Sequence, residues 1–268
     1  MITGVWTALP NLFNFVTKKQ LANVLESLFN AGIDGLFLLG TTGQGTDYSL
    51  SQRMEILETV LQLVPDPKRV VVAASANAAQ DARNLIIHAM NHNVQGVAIT
   101  PPYYSSFSER EIQSWAVEVL SGIDKKGDIY LYNIPGATRS TWSIDSVRYV
   151  HDLIGVDGIK DSSGAPKQLL DYIAWSKSHH ATVLAGDEHL AVFNYLMGGH
   201  GIVSGLSSAY PKLLVDLAEQ ASKRAWEQTV PLQYEVYQHL ALLQGQSPRE
   251  TVQTLICWMK ETKILADL

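Results

Sequence analysis

Short β-rich runs alternate with longer helical patterns eight times along this 268-residue chain, and that alternation constrains the fold more than any other feature. The runs fall at residues 4–8, 35–39, 70–74, 96–100, 128–132, 156–159, 182–185 and 201–203. Helical patterns follow them at 18–31, 49–63, 79–92, 108–123, 143–153, 166–176, 188–197 and 211–223. In the first of these, Leu21, Val24, Leu25 and Leu28 recur at the spacing of one helix face. Ser108 with Glu111 three residues on has the form of a capping box. Asp34-Gly35, Gln95-Gly96 and Asp157-Gly158 supply short turns into three of the strands. Strands separated by helices pair in parallel, and eight such units predict an α/β fold of the closed (β/α)8 TIM barrel type. An open doubly wound sheet would need a glycine fingerprint in the first strand-to-helix turn, where Pro10-Asn11-Leu12 stands instead. Two further helical stretches, 225–243 and 248–264, predict a short C-terminal helical appendage. The expected division is a catalytic barrel over 1–224 with C-terminal helices packed on it over 225–268.

Composition narrows the partners. A net charge of −6 argues against nucleic acid, which needs a basic footprint. With 46% hydrophobic and 17% charged residues the chain suits a soluble enzyme with a large core, and no apolar run is long enough to span a membrane. The first residues lack the basic and long apolar regions of a signal peptide. Cys257 is the single cysteine, so an internal disulfide is excluded and a cytoplasmic location is expected. Its apolar neighbours Leu255, Ile256 and Trp258 predict a buried core residue.

In a barrel enzyme the chemistry collects where the strands end. That rule selects Gly40-Thr41-Thr42-Gly43-Gln44-Gly45 after the second strand and Pro101-Pro102-Tyr103-Tyr104 after the fourth. It selects Tyr132-Asn133-Ile134-Pro135 on the fifth, Lys160 on the sixth, Gly186-Asp187-Glu188 on the seventh and Val203-Ser204-Gly205 on the eighth. Lys160 follows the apolar strand and opens the loop Asp161-Ser162-Ser163-Gly164. A lysine facing a barrel interior is partly desolvated, which disfavours the ammonium, and a neutral amine can attack a ketone to form a Schiff base. A phenol beside it, Tyr132 or Tyr104, suits proton transfer, although a strand tyrosine can equally be a packed aromatic. The glycine-rich loop is either a tight turn or an anion site in which Thr41 and Thr42 hold a carboxylate.

Gly40-Thr41-Thr42-Gly43, Tyr132-Asn133-Ile134-Pro135, Gly158-Ile159-Lys160-Asp161 and Gly198-Gly199-His200-Gly201-Ile202-Val203-Ser204 together resemble the dihydrodipicolinate synthase/N-acetylneuraminate lyase family of pyruvate-dependent class I aldolases. The resemblance implies that Lys160 forms the Schiff base with pyruvate, that Tyr132 relays protons and that Thr41 and Thr42 bind the pyruvate carboxylate. It further implies that the Val203 carbonyl orients the lysine and that Tyr104 completes the relay, in many members across a subunit contact. Gly186 and Glu188 stand on the substrate side. No cofactor and no metal are implied, the substrate partners are pyruvate and an aldehyde, and a homodimer or homotetramer is expected. The chain is expected to lack the family's last helical stretch.

The departures bear on the aldehyde. In the synthases an arginine two residues after the Tyr-Asn-x-Pro motif clamps the carboxylate of aspartate semialdehyde; here Ala137 stands there and Arg139 lies two places on. His189 and Gly205 replace an acidic residue and a serine of the lyase branch. Ser162 and Ser163 could hydrogen-bond a polyol, as hydroxyl residues do in 2-keto-3-deoxy sugar acid aldolases, or could cap the following helix. The leading expectation is an aldolase or lyase acting on a 2-oxo-3-deoxy sugar acid of the 2-keto-3-deoxygluconate or N-acetylneuraminate type. The alternative is 4-hydroxy-tetrahydrodipicolinate synthase, condensing pyruvate with aspartate semialdehyde. Two other classes carry distinct signals. His88 and His92, four apart, have zinc-ligand spacing on an outer helix, where solvated surface histidines are expected instead. A silent binding barrel would keep the fold without turnover.

Overall fold

The computed structural model describes residues 2–265, so Met1 and residues 266–268 of the expected divisions lie outside the described residues. Eight parallel strands close into a barrel in sequence order, β8 pairing back onto β1. They are β1 Gly4–Ala8, β2 Gly35–Leu38, β3 Val70–Ala73, β4 Gly96–Ile99, β5 Asp128–Asn133, β6 Gly158–Asp161, β7 Thr182–Ala185 and β8 Gly201–Ser204. The helices are α1 Lys18–Asn30, α2 Leu50–Leu61, α3 Ala79–Asn91, α4 Glu109–Leu120, α5 Pro135–Thr138, α6 Ile144–Ile154, α7 Pro166–His179, α8 Ala191–Met197, α9 Pro211–Ser222, α10 Trp226–Ala241 and α11 Pro248–Glu261. Thr17, Ser49, Ser108 and Ser247 close capping boxes with Gln20, Gln52, Glu111 and Glu250, which ties four helix starts to local sequence.

Two cores result from strand alternation. One set of side chains faces the helices, among them Leu36, Leu38, Val70, Val72, Ile159 and Val183. The other faces inward: Trp6, Ala8, Phe37, Val71, Ala73, Ala98, Tyr130, Tyr132, Leu184 and Val203. Filling the interior in this way makes the barrel a packed core, so ligands are confined to its rim.

Three local expectations differ from the structure. Strand β6 starts at Gly158 and includes Lys160, two residues later than the sequence pattern placed it. Gly155 caps α6 in the left-handed region, and the Asp157 carboxylate accepts from the Ile129 amide at 2.7 Å. Residues 155–157 are thereby spent on the turn. The stretch 188–197 divides into a 3-10 turn, Glu188–Leu190, and α8. Cys257 is exposed, on the outward side of α11, where Val252, Leu255 and Met259 take the buried positions. A single heptad-like stripe buries one side of a helix only, and Cys257 falls outside it.

Candidate active site

The register of β6 decides what Lys160 can touch. Lys160 pairs with Tyr132 on one side and Leu184 on the other, and partners across parallel strands share a face. Both neighbours point inward, so Lys160 does too, and it is 4% exposed. Its Nζ lies 4.0 Å from the centre of the Tyr132 ring and 4.2 Å from that of Phe37. These are cation–π distances, and they hold the end of a long side chain against a rigid aromatic corner. Phe37 and Tyr132 themselves meet edge to face at 5.5 Å.

Tyr132 connects the lysine to a cavity of about 210 Å³ at the rim. Its hydroxyl lies 3.3 Å from Thr41 Oγ1, and both residues line the cavity. The loop carrying Thr41 turns tightly: the Gly45 amide donates to the Gly40 carbonyl at 3.2 Å, and a Cβ on Gly45 would lie 2.0 Å from the Leu39 carbonyl oxygen. Glycine is required there because backbone cannot yield to that contact. A lattice of Asn11, Gln44 and Tyr48 supports the loop, Asn11 Nδ2 donating to Gln44 Oε1 at 2.9 Å and the Tyr48 hydroxyl to Asn11 Oδ1.

On the other side of Lys160 the packing is closer still. A Cβ on Gly186 would lie 2.1 Å from Ser162 Oγ and 2.6 Å from Lys160 Cε. Ser162 Oγ is buried and has no hydrogen-bond partner. Ser163 does the turn work instead: its hydroxyl donates to Asp161 Oδ2 at 2.9 Å and accepts from the Ala165 amide at 3.2 Å. Asp161 is 2% exposed and burial raises its pKa, against the lowering effect of hydrogen bonds from Asn133 and Ser163. Asn133 Nδ2 donates to Asp161 Oδ1 at 2.7 Å, while Asn133 Oδ1 accepts from the Trp142 amide. This buried pair fixes the ends of β5 and β6 behind Tyr132 and Lys160.

The other expected site residues are placed as follows. Thr42 Oγ1 is near Gly205, where an added Cβ would meet it at 3.4 Å, and Val203 is buried in the inner core beside Tyr132 and Leu184. Glu188 Oε1 accepts from Ser204 Oγ at 2.8 Å and from the Leu206 amide at 3.2 Å, so its carboxylate knits β7 to β8. Tyr104 is 86% exposed, with φ of 84°, and is not part of the cavity lining. Its neighbour Tyr103 lines the cavity instead, its amide held by Asn77 Oδ1 at 2.7 Å. Arg139 is exposed in the left-handed region and is not part of the lining.

Lining residues that sequence reasoning did not single out include Asp47, Ser75, Thr100 and Arg249, whereas Tyr103 was selected together with Tyr104. Thr100 is 4% exposed and its Oγ1 lacks a protein partner. Arg249 comes from the start of α11 and meets Asp47 Oδ2 at 2.8 Å. Thr100 and Tyr103 lie at the end of a strand already singled out. Arg249 is 202 positions from Asp47, a distance that local pattern does not bridge.

Comparison with known proteins gives the family and the fold. Residues 2–256 match the model of the dihydrodipicolinate synthetase family. A 4-hydroxy-tetrahydrodipicolinate synthase from Karelsulcia muelleri (strain GWSS) is 26% identical over 262 residues, covering 95% of this chain and 87% of the relative. The solved dihydrodipicolinate synthase of Bacteroides thetaiotaomicron is 26% identical with a TM-score of 0.88, covering 98% of this chain and 90% of the other. A 2-keto 3-deoxygluconate aldolase from Picrophilus torridus shares the fold, with 20% identity, a TM-score of 0.88, and coverage of 98% and 94%.

Proposed function

The chain belongs to the dihydrodipicolinate synthetase family and is a lysine Schiff-base lyase of the class I type, and from that premise we propose that it cleaves or forms a 2-oxo-3-deoxy sugar acid through Lys160. The observation that carries the reading is the inward Lys160, held against the Tyr132 ring, with the Tyr132 hydroxyl 3.3 Å from Thr41 Oγ1 at the cavity wall.

The steps follow from these positions. Lys160 Nζ attacks C2 of the oxo acid, and the carbinolamine loses water to give an iminium. Tyr132 carries the protons in and out, with Thr41 completing its hydrogen bond. Thr41 and Thr42 hold the substrate carboxylate in the glycine-rich turn. The C4 hydroxyl loses its proton, the C3–C4 bond breaks, and its electron pair is taken up by the iminium as an enamine. The enamine is protonated at C3, and water releases pyruvate and the lysine. Val203 and Gly186 shape the floor around the lysine, and Ser162 offers its free hydroxyl to the substrate. The exposed Tyr104 serves a second copy of the chain in a homodimer or homotetramer, and the enzyme works in the cytoplasm without cofactor.

Two buried hydroxyls support the sugar-acid choice. Ser162 Oγ and Thr100 Oγ1 lack protein partners, and a buried unpaired hydroxyl costs about 1–3 kcal/mol unless a ligand completes it. At Thr100, which lines the cavity, a polyol chain would do so. Ala137 lines the cavity and cannot clamp a carboxylate. A second reading, condensation of pyruvate with aspartate semialdehyde, draws support from the names of the relatives.

Borohydride reduction in the presence of pyruvate is expected to trap a stable adduct on Lys160 and on no other residue; folded protein without it would exclude the mechanism. A panel of 2-keto-3-deoxy acids, sialic acid and aspartate semialdehyde, followed by pyruvate release or consumption, then separates the two substrate readings.

A further inference from the structure

The histidines singled out by their spacing acquire a third neighbour in the structure. His88 lies in the last turn of α3 and His92 caps that helix. Helix α2 packs alongside and brings Glu58, near its own C-terminal end, to the same place. Glu58 Oε1 lies 3.2 Å from His88 Nε2, and one ligand atom from each of the three residues falls within 4.8 Å of the others. The two imidazole rings are 4.5 Å apart between centres.

His88 is only partly exposed, unlike the freely solvated surface histidine that an outer helix leads one to expect, while His92 beside it is exposed. The His88 side chain is 20% exposed, and its Nε2 is buried without an aligned hydrogen bond, despite the nearby carboxylate. His92 Nδ1 faces the His88 carbonyl at 2.9 Å. With the proton on Nδ1 to make that bond, Nε2 keeps its lone pair, the arrangement usual for a metal-bound imidazole. Both helix ends also present partial negative charge to a cation. In a tetrahedral zinc site, bonds of about 2.0–2.2 Å set ligand atoms roughly 3.3 Å apart, close to the 3.2 Å found between Glu58 and His88.

We propose that Glu58, His88 and His92 bind a zinc-class divalent cation, with a fourth position left to water, and that the ion clamps α2 to α3. The site lies at the end of the barrel opposite the lysine, because each outer helix runs back toward the start of the next strand. Its role is structural. Two imidazoles and a carboxylate select zinc over the hard, oxygen-preferring magnesium ion.

The test uses the full chain, stripped by chelator and dialysed against ZnCl2 or MgCl2. Wild type is expected to bind one equivalent of zinc at this site with a Kd of about 10 µM or tighter, and no magnesium. Zinc at saturation is expected to raise the thermal midpoint by about 3 °C. The double substitution His88→Gln, His92→Gln is expected to weaken that site at least 100-fold, and Glu58→Gln about tenfold. His179→Asn, in a second group with His151 and Asp152, is the control and keeps it. If the double variant does not fold, imidazole nitrogen NMR of wild type decides: one equivalent of zinc must shift the His88 and His92 resonances. Wild type without a site of that affinity, a folded double variant that binds as wild type does, or unmoved His88 and His92 resonances would each overturn the proposal. Adduct formation on Lys160 is expected to be the same with zinc or chelator.

Discussion

The region around Lys160, behind Tyr132, is buried and packed to contact, whereas the outer lining of the cavity onto which Tyr132 opens is exposed and loosely held. On the lysine side, Lys160 and Tyr132 are 4% and 3% exposed, Gly186 has no room for a methyl group, and Asn133 and Asp161 lock two strand ends together. On the far side stand Ala137, Tyr103 and the Asp47–Arg249 ion pair, whose side chains are 40% and 75% exposed. An ion pair in that setting contributes about 0–1 kcal/mol, so it can rearrange around different ligands. The difference matches a division of labour. Bond making at a lysine needs fixed geometry, since misplacement by about 1 Å can cost 100-fold in rate. Recognition of a variable substrate tail does not.

The comparison predicts where substitutions act. Tyr132→Phe removes the proton carrier and keeps the ring that supports Lys160; kcat is expected to fall 10²- to 10⁴-fold by steady-state assay, with the pyruvate adduct still detectable by mass spectrometry. A loss of less than tenfold would assign the proton to another group. Gly186→Ala is expected to fold, because the atoms it meets first are side-chain ends, and to lower kcat/KM about 100-fold by displacing Lys160 and Ser162. Unchanged kinetics would mean that the lysine side is less tightly specified than its packing indicates. Arg249→Gln sharpens the contrast on the open side. KM for a polyol-tailed oxo acid is expected to rise less than about threefold, while a substrate with a second carboxylate held by this arginine would lose about tenfold or more. The KM ratio between the two substrates is the measurement.

The smallest effect concerns stability, away from both regions. The His200 pKa is lowered, chiefly by burial, and its Nδ1 accepts a hydrogen bond from the Val183 amide at 3.1 Å. The native state therefore binds fewer protons than the unfolded chain below the unfolded value near 6.5. Stability present above that pH is lost as the pH falls through the lowered native value. A thermal midpoint that declines from pH 7 to pH 5, with a shallower slope in His200→Asn, is the expected outcome.

Much of this molecule was legible in order along the chain. Eight alternations of β-rich and helical pattern point to a parallel sheet covered on both faces, and their number, with Pro10-Asn11-Leu12 where an open doubly wound sheet would place glycines, favours the closed barrel. Strand ends then point to Thr41, Tyr132, Lys160 and Gly186, since barrel geometry turns position along a strand into position on the rim. Offsets of one or two residues lay beyond that logic. Tyr103, and not Tyr104, lines the cavity, and Lys160 belongs to β6 because Asp157 spends its carboxylate on the preceding turn. Side-chain direction depends on φ and ψ in irregular segments, which have no period to read. Contacts between distant segments were likewise silent: Arg249 reaches Asp47, and Glu58 reaches His88, across neighbouring helices. By itself the sequence determined the barrel and singled out the lysine on which the proposed reaction turns. Tertiary structure alone decided which residues line the outer part of the cavity and which carboxylate joins the paired histidines, because those meetings arise from packing between segments that carry no record of each other.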